Sequence, residues 1–349
     1  MPTIADVAAH AGVGQGTVSR VLNGSPKVRD ATRARVLSAI ELLDYRPNPL
    51  ARGLSRGRCQ TLGVVVPFFT HASAIERLRG VASGLDGSRY DLVLFNVESP
   101  VHRDEHIASI TGRDRADGLL VLSLPVADRD LQRLTAAGVP VVLVDAPGTG
   151  VPTVVTDDRA GGRVATQHLV DLGHRAIGYL GHDPSNPFGF TATDDREAGY
   201  LEVLADAGLP VRRELIRYGP HDREAGRALA AELLAEPHPP TAIFASSDAQ
   251  AMGVLAATED AGLRVPRDLS VIGFDDVELS SYVGLTTVRQ PLFESGRLGV
   301  ELLLAALAGD PPPPTVHALP LELVVRSTTA PAPRRHDPNH ISQPRGNAR

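Results

Sequence analysis

Residues 3–23, Thr3-Ile4-Ala5-Asp6-Val7-Ala8-Ala9-His10-Ala11-Gly12-Val13-Gly14-Gln15-Gly16-Thr17-Val18-Ser19-Arg20-Val21-Leu22-Asn23, contain two apolar series separated by glycines. Ile4, Val7, Ala8 and Ala11 recur at i, i+3, i+4 and i+7, the spacing of one helix face. Thr3 stands where an N-cap belongs, and Asp6 falls in the first turn beside the positive end of the helix dipole. Gly12 ends that series. Val18, Val21 and Leu22 begin a second one, leaving Gln15, Gly16, Thr17, Ser19, Arg20 and Asn23 on its outer face. After the turn Asn23-Gly24-Ser25-Pro26, a third helix is predicted from Val36, Leu37, Ile40 and Leu43, ending before Tyr45-Arg46-Pro47. Three short helices around one small core predict a helix-turn-helix domain over residues 1–46.

The outer face of the second helix has short polar groups and one arginine, with no carboxylate to repel phosphate. Gln15 is suited to pairing with adenine and Arg20 to guanine or backbone, while Thr17, Ser19 and Asn23 are suited to phosphate. Gly12-Val13-Gly14-Gln15-Gly16 resembles a dinucleotide-binding loop, but it follows an amphipathic helix instead of a buried strand, which excludes that reading. The charge is divided in the same sense. Residues 1–58 carry nine Lys/Arg against four Asp/Glu, and the remainder carries 26 against 37. A basic head on an acidic body points to a polyanion-binding module joined to a domain with another task.

Residues 47–60 read as a hinge. Asn48 is a good N-cap and Pro49 a good first helical residue, but Gly53 costs about 1 kcal/mol inside a helix, and so short a helix is marginal alone. It is expected to fold on meeting a partner. Leu50 and Leu54 would then present an apolar edge that can wedge between base steps from the minor groove.

Thr3 to Ala8, Gly12-Val13, Thr17 to Asn23, and Pro47-Asn48 through Ala51-Arg52-Gly53-Leu54 resemble the head and hinge of the lactose-repressor (LacI/GalR) family of bacterial regulators. The resemblance implies a homodimer whose recognition helices enter adjacent major-groove half-sites of double-stranded operator DNA, with Leu54 inserted at the operator centre. It implies DNA contacts from Thr3, Gln15, Gly16, Thr17, Ser19, Arg20, Asn23, Tyr45, Asn48, Ala51, Arg52 and Leu54. Two positions depart from the family pattern. Gly14 replaces the usual serine cap, and Gly16 replaces a residue that often reads a base, so more of the readout falls to Gln15 and Arg20.

From Thr61 the pattern changes to short apolar runs separated by amphipathic stretches. Leu62–Val66, Leu92–Phe95, Leu119–Leu122 and Val141–Val144 form one series; Ile177–Leu180, Ile216–Tyr218, Ala242–Ala245 and Val271–Phe274 form another. Strand-helix alternation predicts an α/β core of two doubly wound parallel-sheet lobes across residues 61–327, the second beginning near Asp158 to Arg163. Ligands of such sheets bind beyond the carboxyl ends of the strands. There the sequence places Phe68 and Phe69, Asn96, Ser123, Asp145, His182, Ser246-Ser247-Asp248 and Asp275-Asp276. Carboxylates, hydroxyls and rings converging from two lobes suit a polyhydroxylated ligand.

The resemblance extends through this body to about Ser327. It implies a periplasmic-binding-protein-like core whose small-molecule effector is held by Ser73, Ser123, Asp145, Phe190, Arg196, His221, Ser247, Asp248 and Asp275, to which the strand-end reading adds Phe69. His221 departs from the large aromatic ring that family members carry there. A sugar is the expected effector class, a purine the second. Whether it induces or co-represses is left open, and a two-lobed sugar receptor without DNA regulation is the alternative function.

Other classes are excluded by what is missing. The acid pairs Asp157-Asp158, Asp194-Asp195 and Asp275-Asp276 diverge on a strand or helix, and no HExxH pattern occurs, so neither an enzyme, a metal site nor a cofactor is expected. No run of about 18 apolar residues and no leader pattern is present, and the single Cys59 fits a reducing compartment, so a cytoplasmic protein without a membrane partner is expected. The proline-rich segment 328–349 reads as a disordered tail without a leucine heptad, consistent with a dimer rather than a four-chain assembly.

Overall fold

The structure, a computed structural model, describes residues 2–46, 59–110, 115–183 and 185–333. The head contains α1 (Ile4–Ala11), α2 (Gln15–Leu22) and α3 (Asp30–Leu42). Thr3 and Asp6 form a reciprocal capping box on α1, and Gly12 closes that helix in the left-handed conformation at φ 63°. Gly14 precedes α2 with no side-chain cap. Val7, Val18 and Val36 are fully buried and draw the three helices onto one small core. Leu37, expected on the core side of α3, is instead 51% exposed, because Val36 and Ala39 take the inward positions of that helix.

The first lobe is built on β1 (Thr61–Pro67), α4 (Ala72–Gly84), β2 (Asp91–Val97), α5 (Pro100–Ile110), β3 (Gly118–Leu122), α6 (Asp128–Ala136), β4 (Val141–Val144) and β5 (Thr153–Val155). The second contains α7 (Asp158–Asp171), β6 (Ile177–Gly181), α8 (Ala192–Asp206), β7 (Ile216–Tyr218), α9 (Arg223–Leu234), β8 (Ala242–Ala245), α10 (Asp248–Asp260), β9 (Ser270–Asp275), α11 (Glu278–Tyr282) and β10 (Thr286–Arg289). The chain then returns to the first lobe through α12 (Leu292–Ala308) and β11 (Val316–Ala318), and ends its strands with β12 (Glu322–Val324) in the second.

The strand orders are β11-β5-β4-β3-β1-β2 and β12-β10-β9-β8-β6-β7, so both sheets have the same doubly wound arrangement. All pairings are parallel except β10 with β12. Each lobe therefore has its switch point between its first and third strands, and both open on the same space. All eight expected strands are present. The return of the chain was not readable from the strand pattern: Val300, Leu303 and Leu307 of α12 complete the core beneath the first sheet.

The ordered chain continues past residue 327. Thr328 is buried and exchanges hydrogen bonds with Val271 and Thr286, while the Ala330 carbonyl meets His174 and the Ala332 N–H donates to the Leu172 carbonyl. Residues 328–333 thus run along the second lobe, where the sequence suggested a tail. His174 is itself fully buried, which makes this attachment part of the lobe's packing.

Candidate functional site

A cleft of about 730 Å³ lies between the lobes, at the carboxyl ends of both sheets. From the first lobe it receives Phe68 after β1, Ser73 and Arg77 from α4, Ser123 after β3 and Asp145 after β4; from the second it receives Phe188 and Phe190, Arg196 of α8, His221 and Asp275. Asp158 at the start of α7 and Gln290 after β10 complete its floor.

The floor is a connected polar network. Arg77 donates through Nη2 to Asp145 at 2.7 Å and to the Gln290 side-chain oxygen at 3.3 Å; the Gln290 amide then donates to Asp275 at 2.7 Å. Ser123 donates to Asp145 at 3.1 Å. Arg196 donates to Asp158 at 2.7 Å and to the Ser246 carbonyl at 2.6 Å, with its guanidinium 3.8 Å from the centre of the Phe274 ring. Such pairing is what makes these buried charges tolerable. Even so, burial outweighs the Arg196 charge and pushes the Asp158 carboxyl up, and burial likewise raises Asp275 against the pull of Arg196 and Arg77.

Glycines position both arginines. A Cβ at Gly296 of α12 would meet the Arg77 carbonyl oxygen at 2.0 Å, and one at Gly162 of α7 would meet the Arg196 carbonyl oxygen at 2.1 Å. Only glycine lets the paired helices approach that closely.

The mouth of the cleft is aromatic. Phe188 and Phe190 stack at 5.1 Å between ring centroids, and Phe68 meets Phe188 edge-on at 5.4 Å. Phe188 belongs to the second lobe's connection after β6, yet it is buried in the first lobe's core beside Val65 and Phe95, bridging the lobes. Asn186 braces this segment by accepting from the Phe190 N–H at 3.1 Å. His182 lies 5.0 Å from His221 and His71 stacks on Phe68 at 5.2 Å. Burial, then His182 and Arg196, hold the His221 imidazole well below its usual value. Among the described residues, no group of three or more His, Cys, Asp or Glu is arranged to hold a metal ion.

Of the effector positions expected from sequence, Ser73, Ser123, Asp145, Phe190, Arg196, His221 and Asp275 meet in this cleft. Three do not. Phe69 is 40% exposed outside it, because Phe68 adopts a left-handed backbone at φ 43° and its own ring turns inward. Ser247 caps α10 by accepting from the Gln250 N–H. Asp248 is fully buried behind the cleft, accepting from the Val277 N–H, Ser280 and Thr287 at 3.1, 2.6 and 2.6 Å. Arg77, Asp158 and Gln290 were missed, since Arg77 on an amphipathic helix reads as an exposed charge and the other two have no motif.

On the head, Gln15, Gly16, Arg20 and Asn23 are exposed along α2, with Thr17 and Ser19 half-buried beside them. Thr3 is exposed but its hydroxyl is engaged with Asp6 at 2.8 Å, and Tyr45 packs against the head core. Asn48, Ala51, Arg52 and Leu54 lie outside the described residues. Where the chain is next described, Asp117 accepts from the backbone N–H groups of Cys59 at 3.0 Å and Gln60 at 2.7 Å, anchoring the connection to the first lobe.

This combination of head and cleft has known counterparts. Residues 3–48 match the bacterial regulatory proteins of the lacI family, and residues 166–329 match a periplasmic binding protein-like domain. The catabolite control protein A of Priestia megaterium is 34% identical over 331 residues, covering 94% of this chain and 99% of that protein. The chain belongs to the lacI family. Among solved structures, the complex of the transcriptional regulator CelR with cellobiose is 34% identical, covers 94% of this chain and 100% of that one, and superposes with a TM-score of 0.69. The lac repressor dimer bound to operator and the anti-inducer ONPF is 29% identical, covers 94% and 99%, and has a TM-score of 0.80. As a lacI-family member the chain is a DNA-binding transcriptional regulator controlled by a small molecule.

Proposed function

We propose that the protein is a repressor of carbohydrate-utilisation genes, acting in the cytoplasm as a homodimer on a pseudo-palindromic operator and controlled by a sugar in the inter-lobe cleft. The observation that carries this reading is the cleft floor, where carboxylates, guanidiniums and a carboxamide supply paired acceptors and donors for vicinal hydroxyls, beneath aromatic rings suited to a sugar's apolar face. In this assignment Asp275, Arg196, Asp145, Ser123 and Ser73 bind hydroxyls and Phe190 and His221 cover the ring; Gln15 and Arg20 read bases while Thr17, Ser19 and Asn23 hold the backbone. The domains are a head (1–46), a hinge (47–60) and a two-lobed core.

Two uncovered apolar surfaces support the dimer. Val93 and Leu94 are 38% and 42% exposed on β2, the edge strand of the first sheet, and Leu279 and Tyr282 are 54% and 78% exposed on α11 of the second lobe. Self-association of one face with its copy is the commonest way to cover such patches.

The hinge is the bistable element. An effector that prefers one lobe arrangement shifts the hinge equilibrium, and operator affinity changes by the ratio of the effector's affinities for the two states. The test is binding of the purified chain to duplexes upstream of its own and neighbouring genes across a salt series, with and without a panel of sugars. Specific binding altered by one sugar supports the proposal. Sugar binding without a specific DNA complex overturns the regulatory half, and a specific complex indifferent to every sugar overturns the effector half.

A further inference from the structure

Resting on the sugar-effector reading, the geometry points to an uncharged effector: we propose that the cleft takes a neutral, unphosphorylated sugar and rejects its phosphorylated and acidic relatives. Both buried cations of the floor are matched by carboxylates. Arg77 faces Asp145 and Arg196 faces Asp158, so each buried cation has its own carboxylate.

Both guanidiniums are almost fully buried, at 6% and 5% side-chain exposure, and each already holds a carboxylate. Capture of an anion uses two adjacent N–H groups, and both edges of the fork include Nη2. In Arg77 that atom is taken by Asp145 and Gln290. In Arg196, Nε and Nη2 both point to Asp158, Nη1 donates to Ser246, and one face lies on Phe274. The N–H groups left over serve hydroxyl oxygens well, but a guanidinium already neutralised by its own carboxylate has little charge to offer a phosphate.

Apart from histidines, the remaining titratable side chains of the lining are acidic. Asp183, Asp195, Asp222 and Asp275 add carboxylates, with no further Lys or Arg lining the cleft among the described residues. The start of α8, which would otherwise attract an anion, carries Asp194 and Asp195 in its first turn. The start of α4 lacks such acids, but the charge of Asp222 acts on His71 at its N-cap from the opposite lobe. Three histidines, His71, His182 and His221, also line the cleft; His221 lies against His182, and burial, then His182 and Arg196, keep it from taking a proton. An anionic sugar would therefore meet acceptors and already-paired donors, whereas a neutral one exchanges hydroxyl hydrogen bonds with both.

The experiment is titration calorimetry on the full-length chain at neutral pH. Glucose, galactose, ribose, maltose and cellobiose are each set against the terminal phosphate ester and the uronic or aldonic acid of the same sugar. The expected result is that at least one neutral sugar binds and that its charged relatives bind about 30-fold more weakly or worse. A phosphate ester or acid that equals or exceeds its neutral parent overturns the inference while leaving the sugar reading intact. Silence from every member, neutral and charged, overturns the sugar reading and the inference with it. The double variant Asp195→Asn with Asp222→Asn is expected to narrow the gap between neutral and phosphorylated forms by about 10-fold; an unchanged gap contradicts the assignment of the rejection to the acidic rim.

Discussion

The two lobes place the same residue types at the same topological positions and connect them differently. Each has an arginine on the helix after its first strand (Arg77, Arg196), a serine after its third strand (Ser123, Ser246) and an aspartate after its fourth (Asp145, Asp275). In both, a glycine from a neighbouring helix sits on the arginine's backbone. In the first lobe the arginine and aspartate pair with each other. In the second, Arg196 is drawn to Asp158, so Asp275 is held by the Gln290 amide and keeps acceptor capacity toward the cleft. A repeated scaffold thus ties one carboxylate directly to its arginine and leaves its counterpart held by a neutral amide.

Removing the arginines separates these roles most strongly. Arg196→Ala leaves Asp158 buried without its cation and loses the Ser246 bond, and is expected to lower unfolding free energy by about 3–5 kcal/mol in denaturant titrations. Arg77→Ala is expected to lose less, because Asp145 retains Ser123 and is more accessible, at 15% side-chain exposure against 9% for Asp158. Equal losses would break the comparison.

Next is Asp275→Asn, expected to weaken effector binding by about 100-fold with operator affinity retained, because a carboxylate acceptor lining the cleft is replaced by an amide. Asp248→Asn, in the closed pocket behind it, is expected to reduce stability instead, by replacing one acceptor oxygen among three internal donors. Gly162→Ala and Gly296→Ala force apart α7/α8 and α4/α12 respectively, each at about 1–3 kcal/mol measured by thermal unfolding. The smallest effect is pH-dependent. His221 resists protonation when folded, so stability is full above the ordinary histidine value near 6.5 and falls as pH drops below it, by about 1.4 kcal/mol per unit for this one group. His221→Gln should flatten that slope; an unchanged slope would place the titration elsewhere.

Much of this was legible in the sequence because period and burial agree there. The eight strands announced themselves as apolar runs, and the α1 cap and Gly12 stop follow from local chemistry alone. What failed was side-chain direction. Phe68 and Phe69 are neighbours, and the positive φ at Phe68 breaks the alternation that would have chosen between them. Asp248 and Asp275 are both acids at strand ends, and only tertiary neighbours show that one is walled in. Arg77 and Gln290 join the floor across 213 residues, a juxtaposition created by the return of the chain through α12.

The most direct test of the proposed coupling between cleft and DNA-binding head, with Asp275 proposed to bind the effector, is one paired titration. Duplexes selected by the full-length chain from a random pool are titrated with wild type and Asp275→Asn, with and without the tightest-binding sugar. Operator affinity is expected to change about 10-fold or more with sugar in wild type and to stay constant in the variant, whose sugar-free affinity matches wild type. A variant that responds as wild type does, or a wild type whose occupied cleft leaves operator affinity unchanged, would contradict that expectation.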